Sequence, residues 1–163
     1  FQANFRTRAR LKMPLDTMTN ELNSVIFENA GSENYITFFA GFFDTKKRIL
    51  LYINAGHNYP VYCKGNKTVE LESQLPPIGI FGSLSIPKPG SIKMDSDSLL
   101  LLYTDGLVEN TKKGEIRDTK EIRMLLKKNQ KKSLPVILQN FIKEFKPEQS
   151  SDDVTILLLR FAG

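Results

Sequence analysis

Residues 98–106 read Ser98-Leu99-Leu100-Leu101-Leu102-Tyr103-Thr104-Asp105-Gly106. The run from Leu99 to Tyr103 is apolar at every position, the pattern of a strand covered on both faces, not of a half-solvated one. Asp105 ends it, and Gly106 allows a sharp exit with close backbone approach. A second acidic pair mirrors it further on. Asp152 and Asp153 stand just before Val154-Thr155-Ile156-Leu157-Leu158-Leu159, so one acid ends an apolar strand and the other begins one. If the two strands lie adjacent and antiparallel, Asp105 and Asp152, 47 positions apart, reach the same edge of the sheet. Converging carboxylates make a hard-oxygen site suited to Mg²⁺ or Mn²⁺ and unsuited to zinc. Aspartates at strand ends also cap turns, and residue type and position alone leave both readings open.

Outward from this pair, the chain alternates helical and strand signals. Pro14 opens a stretch in which Leu15, Met18, Leu22, Val25 and Ile26 recur at helical spacing, and the helix is expected to end near Gly31. Residues 35–43 carry apolar side chains on both parities, Asp44-Thr45-Lys46-Lys47 supplies a turn, and Arg48 to Asn54 completes a hairpin. A shorter hairpin runs from Val61 to Lys64 through Gly65-Asn66 to Thr68–Leu71. Pro76-Pro77-Ile78-Gly79 breaks regular structure, and a strand is expected over Ser91 to Met94. Helices follow over Thr119 to Lys128 and Leu134 to Phe145, the second with Ser133 as N-cap and Ile137, Phe141 and Phe145 on one stripe. The order implies an α+β domain with helices packed on a mostly antiparallel sheet or pair of sheets.

Composition bounds the function. The 163 residues are 40% hydrophobic and 25% charged, enough for one globular domain with a core. Cys63 has no disulfide partner, and with the single histidine, His57, it makes no zinc-type spacing; this fits a reducing cytoplasm. Every apolar run falls far short of the roughly 20 residues that cross a bilayer. The first residues, Phe1-Gln2-Ala3-Asn4-Phe5-Arg6, read as the middle of a helix, so a longer parent protein is expected. A net charge of +5 and the cluster Lys127, Lys128, Lys131 and Lys132 raise nucleic-acid binding. The lysines follow an apolar helical pattern, where cations suit the helix C-terminus, and no aromatic residues interleave them; nucleic acid is not an expected partner. Phe38, Phe39, Phe42 and Phe43 are read as core, not as a stacking platform.

Four segments together resemble a known family. Tyr103-Thr104-Asp105-Gly106-Leu107-Val108-Glu109 is similar to the YTDGv.E signature of SpoIIE/RsbU-type PPM phosphatases, and Ser151-Asp152-Asp153-Val154-Thr155 to their closing DDvT motif. Asn54-Ala55-Gly56-His57-Asn58-Tyr59-Pro60 resembles their NAGHnpP segment, and Pro77-Ile78-Gly79-Ile80 their pLG. The resemblance implies an antiparallel β-sandwich flanked by helices and a metal-dependent serine/threonine phosphatase. It also implies two ions, Mn²⁺ or Mg²⁺, that activate water for in-line attack on phosphorus without a phosphoenzyme. By the same carry-over the metal site takes Asp105, Gly106 and Asp152, with Asp153 orienting ligands or water beside them. His57 lies in a turn, where a structural hydrogen-bonding role is expected of it, and Glu109 and Asn110 are expected to be polar loop groups.

The implied substrate is a phosphorylated anti-anti-sigma (STAS) protein of sigma-factor partner switching. The implied parent carries an N-terminal sensor or receiver domain, is cytoplasmic or anchored to a membrane through another domain, and leaves room for a homodimer. Two family motifs, GGDxYD and DvsGkG, are not found in the 163 residues. Residues 1–163 are therefore expected to be the C-terminal two-thirds of a single phosphatase domain. A second departure follows Gly114-Glu115, where Ile116-Arg117-Asp118 replaces the family's aromatic-glycine pair. The alternative reading is a degenerate phosphatase that binds its regulator without turnover.

Overall fold

The structure is a computed structural model, and it describes residues 1–30, 34–110, 115–116, 118–146, 150 and 152–162. In chain order the elements begin with α1 (Gln2–Arg10), α2 (Leu15–Ala30), β1 (Phe38–Asp44), β2 (Ile49–Ala55), β3 (Val61–Lys64), β4 (Lys67–Glu70) and β5 (Gly90–Lys93). They continue with β6 (Ser98–Tyr103), a 3₁₀ turn (Asp105–Leu107), β7 (Glu109–Asn110), β8 (Glu115–Ile116), α3 (Thr119–Asn129), α4 (Leu134–Phe145) and β9 (Ile156–Phe161). These fall into two compact units, each built from two stretches of chain.

The first unit holds Phe1–His57 and Glu72–Met94. Its antiparallel sheet has the order β1-β2-β5, and the register Phe38↔Ala55 and Ala40↔Ile53 puts these four residues on one face. The helical spacing of Leu15, Met18, Leu22 and Ile26 lays one stripe of α2 in the same core. β1 starts later than expected: Tyr35 is exposed, and Ile36 makes only an isolated bridge to Ile78. Only Phe38 of the four phenylalanines is fully buried, while Phe42 packs on the core edge and Phe39 stacks on Tyr52. The basic N-terminal stretch forms a true helix, α1, tied to α2 by Arg8 Nε donating to Glu21 at 2.8 Å. Gly31, the expected helix end, lies outside the described residues.

The second unit holds Asn58–Leu71 and Asp95–Gly163. Its antiparallel sheet runs β4-β3-β6-β9. Leu99, Leu101 and Tyr103 of β6 enter one core with Val61 and Cys63 of β3, and Ile122 and Leu126 of α3 and Ile137, Phe141 and Phe145 of α4 close it. On the opposite parity Ser98 and Leu100 are also buried, as the unbroken apolar run predicts. Asp118 caps α3 by accepting from the Lys120 amide at 2.8 Å. Ser133 is the N-cap of α4, but its side chain makes no capping bond, and Pro135 supplies the pre-set first turn. Buried Asn129 joins the helices, donating to Leu125 O and accepting from Asn140 Nδ2, both at 2.8 Å. No helix among the described residues is long and apolar enough to cross a membrane.

Candidate metal centre

β6 and β9 are adjacent and antiparallel, with Tyr103 opposite Ile156 and Ser98 opposite Phe161. The acidic turns beyond Tyr103 and before Ile156 therefore emerge at the same end of the sheet. Thr104 joins them. Its hydroxyl donates to Asp153 O at 3.2 Å and accepts from Thr155 N at 2.9 Å, while its own amide donates to Thr155 O at 3.1 Å. Sequence reasoning missed this residue, although it lies inside the YTDG motif.

Gly106 makes the closest approach. A β-carbon there would stand 2.8 Å from Asp153 O and 3.1 Å from Asp152 O, so the 3₁₀ turn packs its bare backbone on the Asp152–Asp153 backbone. Asp105, Asp152 and Asp153 are exposed, and Gly106 is buried beneath them. One oxygen of Asp105 accepts from the Gly106 amide at 3.0 Å, and one of Asp152 from the Asp153 amide at 2.8 Å. The Asp152 amide in turn donates to Ser150 Oγ at 3.2 Å. Each of these two carboxylates is thus held by one oxygen. Ser151, the first residue of the closing motif, lies outside the described residues, as does Gly114 of the departure after the 3₁₀ turn.

The donor set is oxygen only, which fits Mn²⁺ or Mg²⁺. It is also small. Among the described residues no group of three or more acids, histidines and cysteines stands close enough to hold a metal ion. Asp105 and Asp152 could each give a ligand oxygen, and a complete shell of about six needs more than these residues bring.

Beneath the acids, Tyr103 is fully buried, and its phenol is pushed up to about 12, first by loss of hydration, then by the Glu70 carboxylate, with the Arg123 cation opposing. Arg123 and Glu70 form an ion pair at 3.5 Å.

The segment around His57 belongs to the first unit and is organised by Asn54. Fully buried Asn54 accepts the His57 amide on Oδ1 at 2.9 Å, and its carbonyl takes the amides of Gln74 at 2.8 Å and Leu75 at 3.2 Å. Gly56 turns the chain at φ +68°, where a β-carbon would fall 2.4 Å from the Pro77 ring. An asparagine inside an apolar strand was the available signal, and the lone histidine masked it.

The fold is that of a PP2C-like phosphatase domain. The family described as Stage II sporulation protein E (SpoIIE) matches residues 1–162, and the chain belongs to that family. Among solved structures it is similar to the RsbU and RsbW domains of Rv1364c from Mycobacterium tuberculosis, with TM-score 0.79 and 19% identity over 98% of this chain and 46% of that one. It is similar also to the PP2C phosphatase domain of SpoIIE from Bacillus subtilis with a fragment of its regulatory domain, with TM-score 0.73 and 18% identity over 96% and 47%. The SiaA-PP2C domain of Pseudomonas aeruginosa aligns with TM-score 0.71 and 19% identity over 88% and 59%. The chain thus spans about half the length of these solved relatives. No curated protein sequence matches it.

Proposed function

We propose that this chain is the part of a metal-dependent serine/threonine phosphoprotein phosphatase that carries its YTDG and DDvT motifs, with Asp105 and Asp152 as metal ligands and Asp153 orienting them. The contact of Gly106 with the Asp152–Asp153 backbone carries this reading, because it brings acids 47 positions apart in sequence to one surface. The amides of Gly106 and Asp153 each hold one carboxylate oxygen, and the other oxygen of each would serve as the ligand to a cation. A bound Mn²⁺ or Mg²⁺ would supply Lewis acidity and neutralise phosphoryl charge. In the hydrolysis itself a water oxygen bonds to phosphorus while the P–O bond to the serine or threonine breaks, and the leaving oxygen takes up a proton. The proposed substrate is a phosphorylated anti-anti-sigma (STAS) protein, supported by membership of the SpoIIE family.

The test is phosphate release from a phosphoserine STAS protein in Mn²⁺, using this chain and a longer form that includes upstream acidic motifs. The 163-residue chain is expected to bind Mn²⁺ weakly and to turn over negligibly, since the described residues offer too few ligands. The longer form should be active, and Asp105→Asn or Asp152→Asn should each lower its rate by about 100-fold or more. Full turnover in either variant would remove the assigned ligands. An inactive longer form with every acidic motif present would favour an interaction module instead.

A further inference from the structure

Between Thr119 and Lys132, along α3 and the turn after it, six basic residues stand against one acid, Glu121. Compensation of the helix dipole accounts for Lys127 and Lys128 in the last turn, but not for Lys120 in the first, where the dipole favours acids. Lys120 and Arg123 are paired, with Asp118 at 3.7 Å and Glu70 at 3.5 Å. Lys127 and Lys128 form no ion pair among the described residues. In the middle of these cations Met124 is 71% exposed, although Ile122 and Leu126 on the same helix are completely buried.

Met124 does not stand on a flat surface. It lines a groove of about 750 Å³ that takes in Lys127 and Lys128 of α3, Asn66 of the β3–β4 turn and the acids Glu121 and Glu144. A second depression shares Met124 and Lys127 and adds Lys120 and Arg123. Gln130 fixes the end of α3 to the turn, its Oε1 accepting from Gly65 N at 2.8 Å and its Nε2 donating to Gly65 O at 2.9 Å. Because β3 pairs antiparallel with β6, Cys63 opposite Leu99, that turn lies at the start of β6, the end opposite to Asp105. The groove is therefore separate from the acidic turns.

We propose that the outer face of α3 docks an acidic protein segment that places one apolar side chain against Met124. The second depression is lined by Lys120, Arg123 and Lys127 and by no acid, and this charge selects carboxylates. The exposed thioether, soft and free to change rotamer, fits an aliphatic anchor of variable shape. No aromatic residue lines either depression, so the stacking that holds single-stranded nucleic acid is missing.

The probe is a fluorescent peptide of about twelve residues, rich in Glu and Asp with one central leucine, titrated at physiological salt against this chain. Saturable binding is expected, weakened about tenfold or more by Lys127→Glu with Lys128→Glu, and about threefold or more by Met124→Ser. Exchanging the peptide leucine for serine should weaken binding to the native chain and leave binding to Met124→Ser unchanged, a coupling that charge alone does not produce. All three side chains lie on the surface, and an unchanged thermal midpoint would show that the variants are folded. Absence of saturable binding, equal affinity in the variants, or tighter binding of a single-stranded oligonucleotide than of the peptide would each overturn the proposal. None of these outcomes depends on phosphatase activity.

Discussion

At Gly106 the want of a side chain is a packing requirement. In Gly106→Ala the new β-carbon meets two carbonyl oxygens of the backbone, which have no rotamer by which to yield. The variant should lose about 1–3 kcal/mol of stability, read as a lower denaturant midpoint, and should separate the acidic turns. Tyr103 gives a second residue-scale prediction. Its folded phenol titrates near 12 against 10.0 for the free side chain, so the native state holds this proton more tightly than the unfolded chain. The stabilisation is complete below pH 10 and is lost as pH rises toward 12, on the order of 2 kcal/mol in all. Comparing denaturant midpoints of the native chain and Tyr103→Phe at neutral and strongly alkaline pH should show the variant losing less. The acids at 105 and 152 were legible because they interrupt apolar runs at the ends of strands. The setting of Tyr103 was not, since Glu70 and Arg123 reach it only through strand pairing and helix packing that no local pattern encodes.

Among the elements, β3 and α4 fall on their expected residues, and most others within a few positions. Period and turn chemistry suffice where a run is bounded by residues such as Gly65-Asn66 or Asp44-Thr45-Lys46-Lys47. β9 shows where they do not. The apolar pattern begins just after Asp153, but pairing with β6 starts at Ile156, because Thr155 gives its amide to the Thr104 hydroxyl. A side chain from a distant strand ends the ladder there, and Val154-Thr155 are as β-prone by residue type as Ile156-Leu157. The strength of α4 lies in its buried stripe. Phe141 is fully enclosed and stacks on Phe145 with ring centroids 5.7 Å apart, so Phe141→Ala should cost about 3–5 kcal/mol, measurable as a shift in the urea midpoint.

For the molecule as a whole, Leu22 and Phe141 sit in separate cores, one in each unit. Leu22→Ala and Phe141→Ala should therefore be additive to within about 0.5 kcal/mol when combined, as for sites without shared neighbours. The sequence suggested helices on antiparallel sheet, but not the division into two units. That division depends on which strands pair, and β2 reaches past the β3–β4 hairpin to β5 while β3 reaches past β5 to β6. This threading governs how the chain is made. A ribosome that has finished β4 must still add the residues through Tyr103 before β3 can gain its neighbour β6, a few seconds at about 5–20 residues per second. For that interval Val61, Tyr62 and Cys63, which the finished protein hides almost completely, lie along an open strand edge in the nascent chain. The hairpin is thus a segment that a holding chaperone would cover, and the emergence of β6 is the event that would release it.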